Sequence, residues 1–278
     1  MPLLVTGEPG TGKTQLAYRV AAELGLGHPL RFDTKSSSVA NELFYTFDSV
    51  RHFAQCQVEA TAGRQPPDPR AFVRYEALGE AILRTNPRAK IGDWLPEQFP
   101  MYSPSESVVL IDEIDKAPRD FPNDLLNQIE NLEFRIPELG AKRIAANKME
   151  FTPFVIITSN SERQLPEAFL RRCVYHHIDF PTDTELAEIV AGRLSRLDLS
   201  GPAFKEAVQF FRELREPGAG LTKKPSTSEL LDWLRVLHEH GLKPGVAFAE
   251  QKDIAKGCVG TLAKTRDDQS IARKRLDG

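Results

Sequence analysis

Leu3-Leu4-Val5-Thr6 followed by Gly7-Glu8-Pro9-Gly10-Thr11-Gly12-Lys13-Thr14-Gln15 is the stretch on which the fold turns. The first four residues read as a short buried strand. Gly7 to Thr14 match G-x-x-x-x-G-K-[ST], and from Lys13 to Leu24 apolar residues at Leu16, Ala17, Val20, Ala21 and Leu24 recur at helical spacing. Between strand and helix, such a loop is a phosphate site for a physical reason. Its glycines let successive backbone N–H groups turn inward and approach an anion closely, and the helix N-terminus adds its positive dipole. Lys13 is placed to reach the β- and γ-phosphates and the Thr14 hydroxyl to ligate Mg²⁺. Gly7, Glu8, Pro9, Gly10, Thr11, Gly12, Lys13, Thr14 and Gln15 are the expected nucleotide-binding residues.

Working outward, Val108–Ile111 is an apolar run bounded by turn residues, the pattern of a strand buried on both faces. Phe154–Ile157 and Val174–Ile178 read the same way, with a shorter strand at Leu30–Phe32. Strands alternating with helices predict a parallel sheet between helices. Asp112 and Glu113 leave the Val108 strand at its C-terminal edge, where open α/β sheets bind ligands. There Asp112 is the expected Mg²⁺ ligand beside Thr14, through water, and Glu113 the base that orients and deprotonates an attacking water. Thr158-Ser159-Asn160 closes the next strand at the same edge, so the Asn160 amide is the expected γ-phosphate sensor. Asp115 is expected to cap the segment that follows it.

The remaining segments organise around that sheet. Helical patterns are predicted over 41–53, 71–84 and 122–132, loops over 61–70 and around Pro96, Pro100 and Pro104, and a hairpin with arms at 133–136 and 148–151 around Gly140. After Phe180-Pro181 the pattern changes to helices alone, over 182–197, 202–215, 226–239 and 246–258. The expected domains are therefore an α/β core over 1–181, with an insertion over about 57–106 and the hairpin over about 132–151, and a helical domain over 182–260. A polar tail with a frayed end is expected over 261–278.

Composition narrows the function classes. With 36 Lys+Arg against 39 Asp+Glu among 278 residues, the balance of −3 does not suit a general nucleic-acid coat. Three cysteines, Cys56, Cys173 and Cys258, exclude a disulfide scaffold and suit a reducing compartment. No apolar run approaches the roughly 20 residues of a membrane span. No leader is expected before Gly7. A soluble cytoplasmic protein is expected. His176 and His177 alternate across a strand and His52 and Cys56 lack further partners, so neither pair reads as a metal site. Cys173 reads as a small packing residue. Phe44, Tyr45 and Phe47 fit either a core or a channel-facing grip.

Pro9–Thr14, Val109–Asp115, Ile157–Asn160 and Leu165–Cys173 occur in the order and spacing of AAA+ ATPases, which this chain resembles. Leu110–Ala117, Phe134–Gly140 and Phe169–Asp179 are similar to the MoxR-type branch. That resemblance implies a P-loop core with a five-stranded parallel sheet and a small helical lid. It implies ATP as ligand with Mg²⁺, hydrolysis of that ATP, and a ring, typically hexameric, with nucleotide at each subunit junction. Arg172, with Arg171 as the alternative, matches the arginine that reaches a neighbour's site. Relatives often act as remodelling chaperones with von Willebrand factor A domain proteins; an assembly switch with little turnover is the alternative, and a nucleic-acid motor is less favoured. The lid departs from the branch at Ser226-Thr227-Ser228-Glu229: Ser228 stands where an arginine is usual, with Lys223 or Lys224 as substitute cations.

Overall fold

The computed structural model describes residues 1–277 apart from 97–98, 101–102, 161–162, 196 and 198–200, and only the backbone of Asn127. The chain forms two compact units, residues 1–7 with 12–178 and residues 8–11 with 179–278.

The first unit runs, in chain order, β1 (Leu3–Gly7), α1 (Lys13–Glu23), β2 (Leu30–Asp33), β3 (Tyr45–Phe47), α2 (Ser49–Thr61), β4 (Val73–Tyr75), α3 (Ala77–Arg84), α4 (Arg88–Ile91), β5 (Val108–Asp112), α5 (Phe121–Asp124), α6 (Leu126–Asn131), β6 (Glu133–Arg135), β7 (Arg143–Ala145), β8 (Phe154–Ser159), α7 (Glu167–Leu170) and β9 (Val174–Ile178). Five strands form one parallel sheet in the order β2-β5-β8-β1-β9. Alternate side chains enter opposite cores, as the period of a strand requires. Val5, Val108, Leu110 and Ile156 pack with Ala17 and Ala21 of α1. Leu4, Val109, Ile111, Val155 and Ile157 pack on the other face with Leu78, Ile82 and Phe134. This is the expected α/β P-loop core, and its C-terminal edge gathers the ends of β1, β8 and β5.

Four local expectations are corrected. The helix predicted over 41–53 begins only at Ser49, where the Asp48 carboxylate accepts the N–H of Arg51 at 2.9 Å. Before it, β3 pairs antiparallel with β4, Tyr45 opposite Tyr75 and Phe47 opposite Val73; β4 likewise replaces the first turn of the helix predicted over 71–84. Both changes come from a partner strand distant in sequence, which periodicity does not reveal. The hairpin's second arm is β7 rather than 148–151, with Phe134 opposite Ile144. β9 is an edge strand bonded to β1 alone, so Val174 and Tyr175 are exposed rather than buried on both faces. Parts of the irregular stretch around Pro96–Pro104 and of the helix predicted over 182–197 lie outside the described residues.

In the second unit, α8 (Asp183–Arg193), α9 (Pro202–Arg215), α10 (Thr227–Glu239), α11 (Lys252–Cys258) and α12 (Arg266–Asp277) enclose Phe204, Phe211, Leu230 and the fully buried Trp233. Thr182 and Ser226 begin α8 and α10 with reciprocal capping boxes to Glu185 and Glu229. The tail expected to fray instead forms α12, with Ala272 and Leu276 buried. Asp268 is fully buried and accepts the N–H of Thr222 at 2.7 Å and of Lys223 at 3.3 Å, tying α12 to the loop before α10. Two apolar residues a turn apart and one buried carboxylate order a segment whose polarity masks its inner face.

Candidate active site

Gly10 and Gly12 have φ of 80° and 94°, backbone that L side chains rarely adopt, which is why glycine stands at both. Gly12 starts α1 directly. Lys13, in the first turn, is 5% exposed and donates from Nζ to the Gly7 carbonyl at 2.9 Å. Thr11 Oγ1 closes on the Glu8 carbonyl at 2.8 Å, and Gln15 is exposed on the first turn of α1.

Thr14 and Asp112 converge as expected: Thr14 Oγ1 lies 3.0 Å from Asp112 Oδ1 and 3.3 Å from Oδ2. Asp112 is 5% exposed, and its Oδ2 also takes the Arg31 guanidinium at 3.0 Å. Arg31 on β2 reaches it because Arg31 and Leu110 share register and β2 borders β5. A hydroxyl and a carboxylate, both hard oxygen donors and few in number, fit a Mg²⁺ ion that keeps waters and is shared with a triphosphate. Among the described residues no cluster of three or more His, Cys, Asp or Glu could hold a metal.

Glu113 and Asn160 also meet. Asn160 Nδ2 donates to Glu113 Oε1 at 3.0 Å, while Lys116 pairs with Oε2. Burial pushes the Glu113 carboxyl up, but hydrogen bonds from Lys116 and Asn160 and the charges of Lys116 and Lys13 outweigh it and hold the group below its ordinary range. A carboxylate is what a base requires. Asp115 is buried and accepts the Asn160 N–H at 3.2 Å, which fixes the end of β8.

Arg172 lies in the turn before β9, the strand of the sheet farthest from β5 and Asp112, and is exposed. Its Nε donates to Glu130 Oε2 at 3.1 Å and its Nη1 to the Ala168 carbonyl at 3.2 Å. Together with Arg171 it lines a cavity of about 800 Å³ that includes Leu3 and Phe154, the first residues of β1 and β8. Its described lining includes no phosphate-loop residue and none of Asp112, Glu113 and Asn160. Cys173 is a packing residue, buried, with burial raising its thiol to about 11. Phe44 and Tyr45 are core: Phe44 stacks on Phe134 at 5.3 Å between ring centres, and the Tyr45 hydroxyl donates to Glu138 at 3.1 Å.

Within the second unit, the α-carbon of Gly10 lies against α10, where a Cβ would meet Ser226 at 3.0 Å and the Ser228 hydroxyl at 3.2 Å. Arg215, which sequence reading passed over, donates to Glu8 Oε2 at 2.6 Å and lies 3.4 Å over the Phe180 ring. Arg31 and Arg215 carried no sequence signal, because each acts through a partner far away in the chain.

Residues 2–173 match the family of AAA domains of the dynein-related subfamily. Comparison with curated proteins finds no match for the chain.

Proposed function

The chain belongs to the AAA domains of the dynein-related subfamily, ATP-binding and ATP-hydrolysing proteins, and on that premise we propose that it is a MoxR-type ring ATPase that remodels a protein partner. Water attacks the γ-phosphorus of ATP in line with the bond to ADP; that P–O bond breaks, phosphate and ADP result, and the water proton passes to Glu113. Asn160 holds the base and the water in one line. The Lys13 ammonium meets the charge of the β- and γ-phosphates. Thr14 and Asp112 are the residues that would hold Mg²⁺, which when bound would supply positive charge to the phosphate oxygens.

The observation that carries this reading is the 3.0 Å contact between Asn160 and Glu113 at the edge where Thr14 meets Asp112. A site that only binds nucleotide needs no carboxylate base held by an amide. Arg172 supports action in trans. It stands at the far edge of the sheet from its own Asp112, so it serves the junction with an adjoining copy. That placement and the resemblance support a ring, hexameric in related proteins. A von Willebrand factor A domain protein is the partner the resemblance favours, and the cytoplasm the compartment. No described helix is long and apolar enough to cross a membrane.

Phosphate release measured across protein concentration tests the proposal. Turnover per chain rises with concentration in the wild type, falls about a thousandfold in Arg172→Ala with ATP still bound, and disappears with ATP binding in Lys13→Ala. Assembly on ATP without turnover in the wild type overturns the motor in favour of a nucleotide switch, a reading on whose side the missing arginine at Ser228 stands.

A further inference from the structure

On β8, two residues before Asn160, stands a hydroxyl to which nothing above gives a role. Thr158 of β8 is fully buried. Its Oγ1 donates to Asp112 Oδ1 at 2.6 Å and accepts the backbone N–H of Glu113 at 2.8 Å. The direction of both bonds is settled by chemistry, since an ionised carboxylate only accepts and an amide N–H only donates. Pairing of Ile111 with Ile157 puts Thr158 beside Asp112, so the contact is built into the register of the sheet.

The second bond lands on unusual backbone. Glu113 has φ 56° and ψ 53°, left-handed for a residue that is not glycine. Such a conformation persists only where the surroundings over-determine it, and it turns the Glu113 side chain towards Asn160 instead of continuing the strand. β8 therefore grips Glu113 twice, by its backbone through Thr158 and by its carboxylate through Asn160. The same hydroxyl orients the carboxylate that faces Thr14.

We infer that Thr158 is a positioning residue for hydrolysis, which sets the metal-binding carboxylate of Asp112 and the strained backbone of Glu113 with one hydroxyl and makes any movement of β8 act on both together. It touches no reacting atom. The inference rests on the roles proposed above for Asp112 and Glu113, and the experiment separates the two.

Thr158→Val keeps the shape and removes the hydroxyl; Thr158→Ser keeps the hydroxyl. Loss of a group that orients a metal ligand costs on the order of 10–100-fold. Thr158→Val is expected to lower kcat by about that factor while KM for ATP stays within about threefold. The Mg²⁺ concentration needed for half-maximal binding of a fluorescent ATP analogue, read without turnover, is expected to rise about tenfold or more. Thr158→Ser is expected to restore both to within about threefold of the wild type. A Val variant that matches the wild type in kcat and Mg²⁺ requirement overturns the inference while leaving the site reading intact. Equal loss in Val and Ser variants also overturns it, as does unfolding of both Thr158→Val and Thr158→Ala, which makes the hydroxyl structural. A wild type that neither binds nor hydrolyses ATP overturns the site reading and this inference with it.

Discussion

Replacing Glu113 by Gln removes one charge from the site and little else, so its consequences follow closely from the geometry. A Gln carbonyl can still accept the Asn160 amide now held at 3.0 Å by Oε1. What is lost is the pair with Lys116, whose side chains are 46% and 38% exposed. A pair so open to water contributes roughly 0–1 kcal/mol, so Glu113→Gln remains folded and any large loss of rate is not a loss of protein. Losing a general base costs about 10²–10⁴ in rate, or about 2.7–5.4 kcal/mol of transition-state stabilisation at about 1.36 kcal/mol per tenfold. Affinity for ATP is expected to hold or to tighten, because a negative charge near the triphosphate has gone. The assay pairs phosphate release under steady-state conditions with calorimetric titration of ATP in Mg²⁺. Turnover within about threefold of the wild type, with ATP bound, refutes the assignment of Glu113 as base. Affinity weakened more than about tenfold refutes the claim that its work is confined to the chemical step.

Two further outcomes test the fold that holds the site. Gly79 lies inside α3 with the Phe44 carbonyl oxygen 1.9 Å from where a Cβ would be, a clash with backbone that cannot turn aside. Gly79→Ala is expected to destabilise the protein by about 1–3 kcal/mol or more in urea unfolding, although alanine is the better helix former; a stabilised variant refutes this packing. Asp268→Ala leaves the buried N–H groups of Thr222 and Lys223 without their acceptor, for a loss of about 1–3 kcal/mol at neutral pH. Burial pushes the Asp268 carboxyl up, but these N–H groups and Thr265 outweigh it and hold the group below its ordinary range. Its contribution is therefore full above the unfolded carboxylate pKa of about 3.9 and fades as pH falls through the lower folded value. The gap in melting temperature between wild type and variant should narrow on acidification, and a gap that widens contradicts the sign.

Much of the site was readable because its parts are local. Gly7 to Thr14 need only a strand before and a helix after, and Asp112 and Glu113 need only to leave a buried strand at the ligand-binding edge. Asn160 was placed at that edge by the same rule. Arg31, Asp115 and Thr158 were not, since an arginine in a strand, an aspartate in a turn and a threonine in a strand are ordinary residues until their distant partners are known. The α12 segment was misjudged because its polar surface hides Ala272 and Leu276 from any average over the stretch.

Taken alone, the order of residues determined that a phosphate loop joins a buried strand to a helix and that acidic residues and an amide end two later strands. It also determined that only helices follow. Those features depend on short-range backbone geometry and on side-chain periodicity, both written in adjacent residues. Only the tertiary structure decided the strand order, with β8 between β1 and β5 although it follows both in the chain. That interleaving brings Thr158 onto Asp112, lets the Asn160 amide reach Glu113, and leaves Arg172 at the opposite edge. Strand order arises from burying both faces of the sheet at once, a requirement on the whole chain that no window of sequence contains.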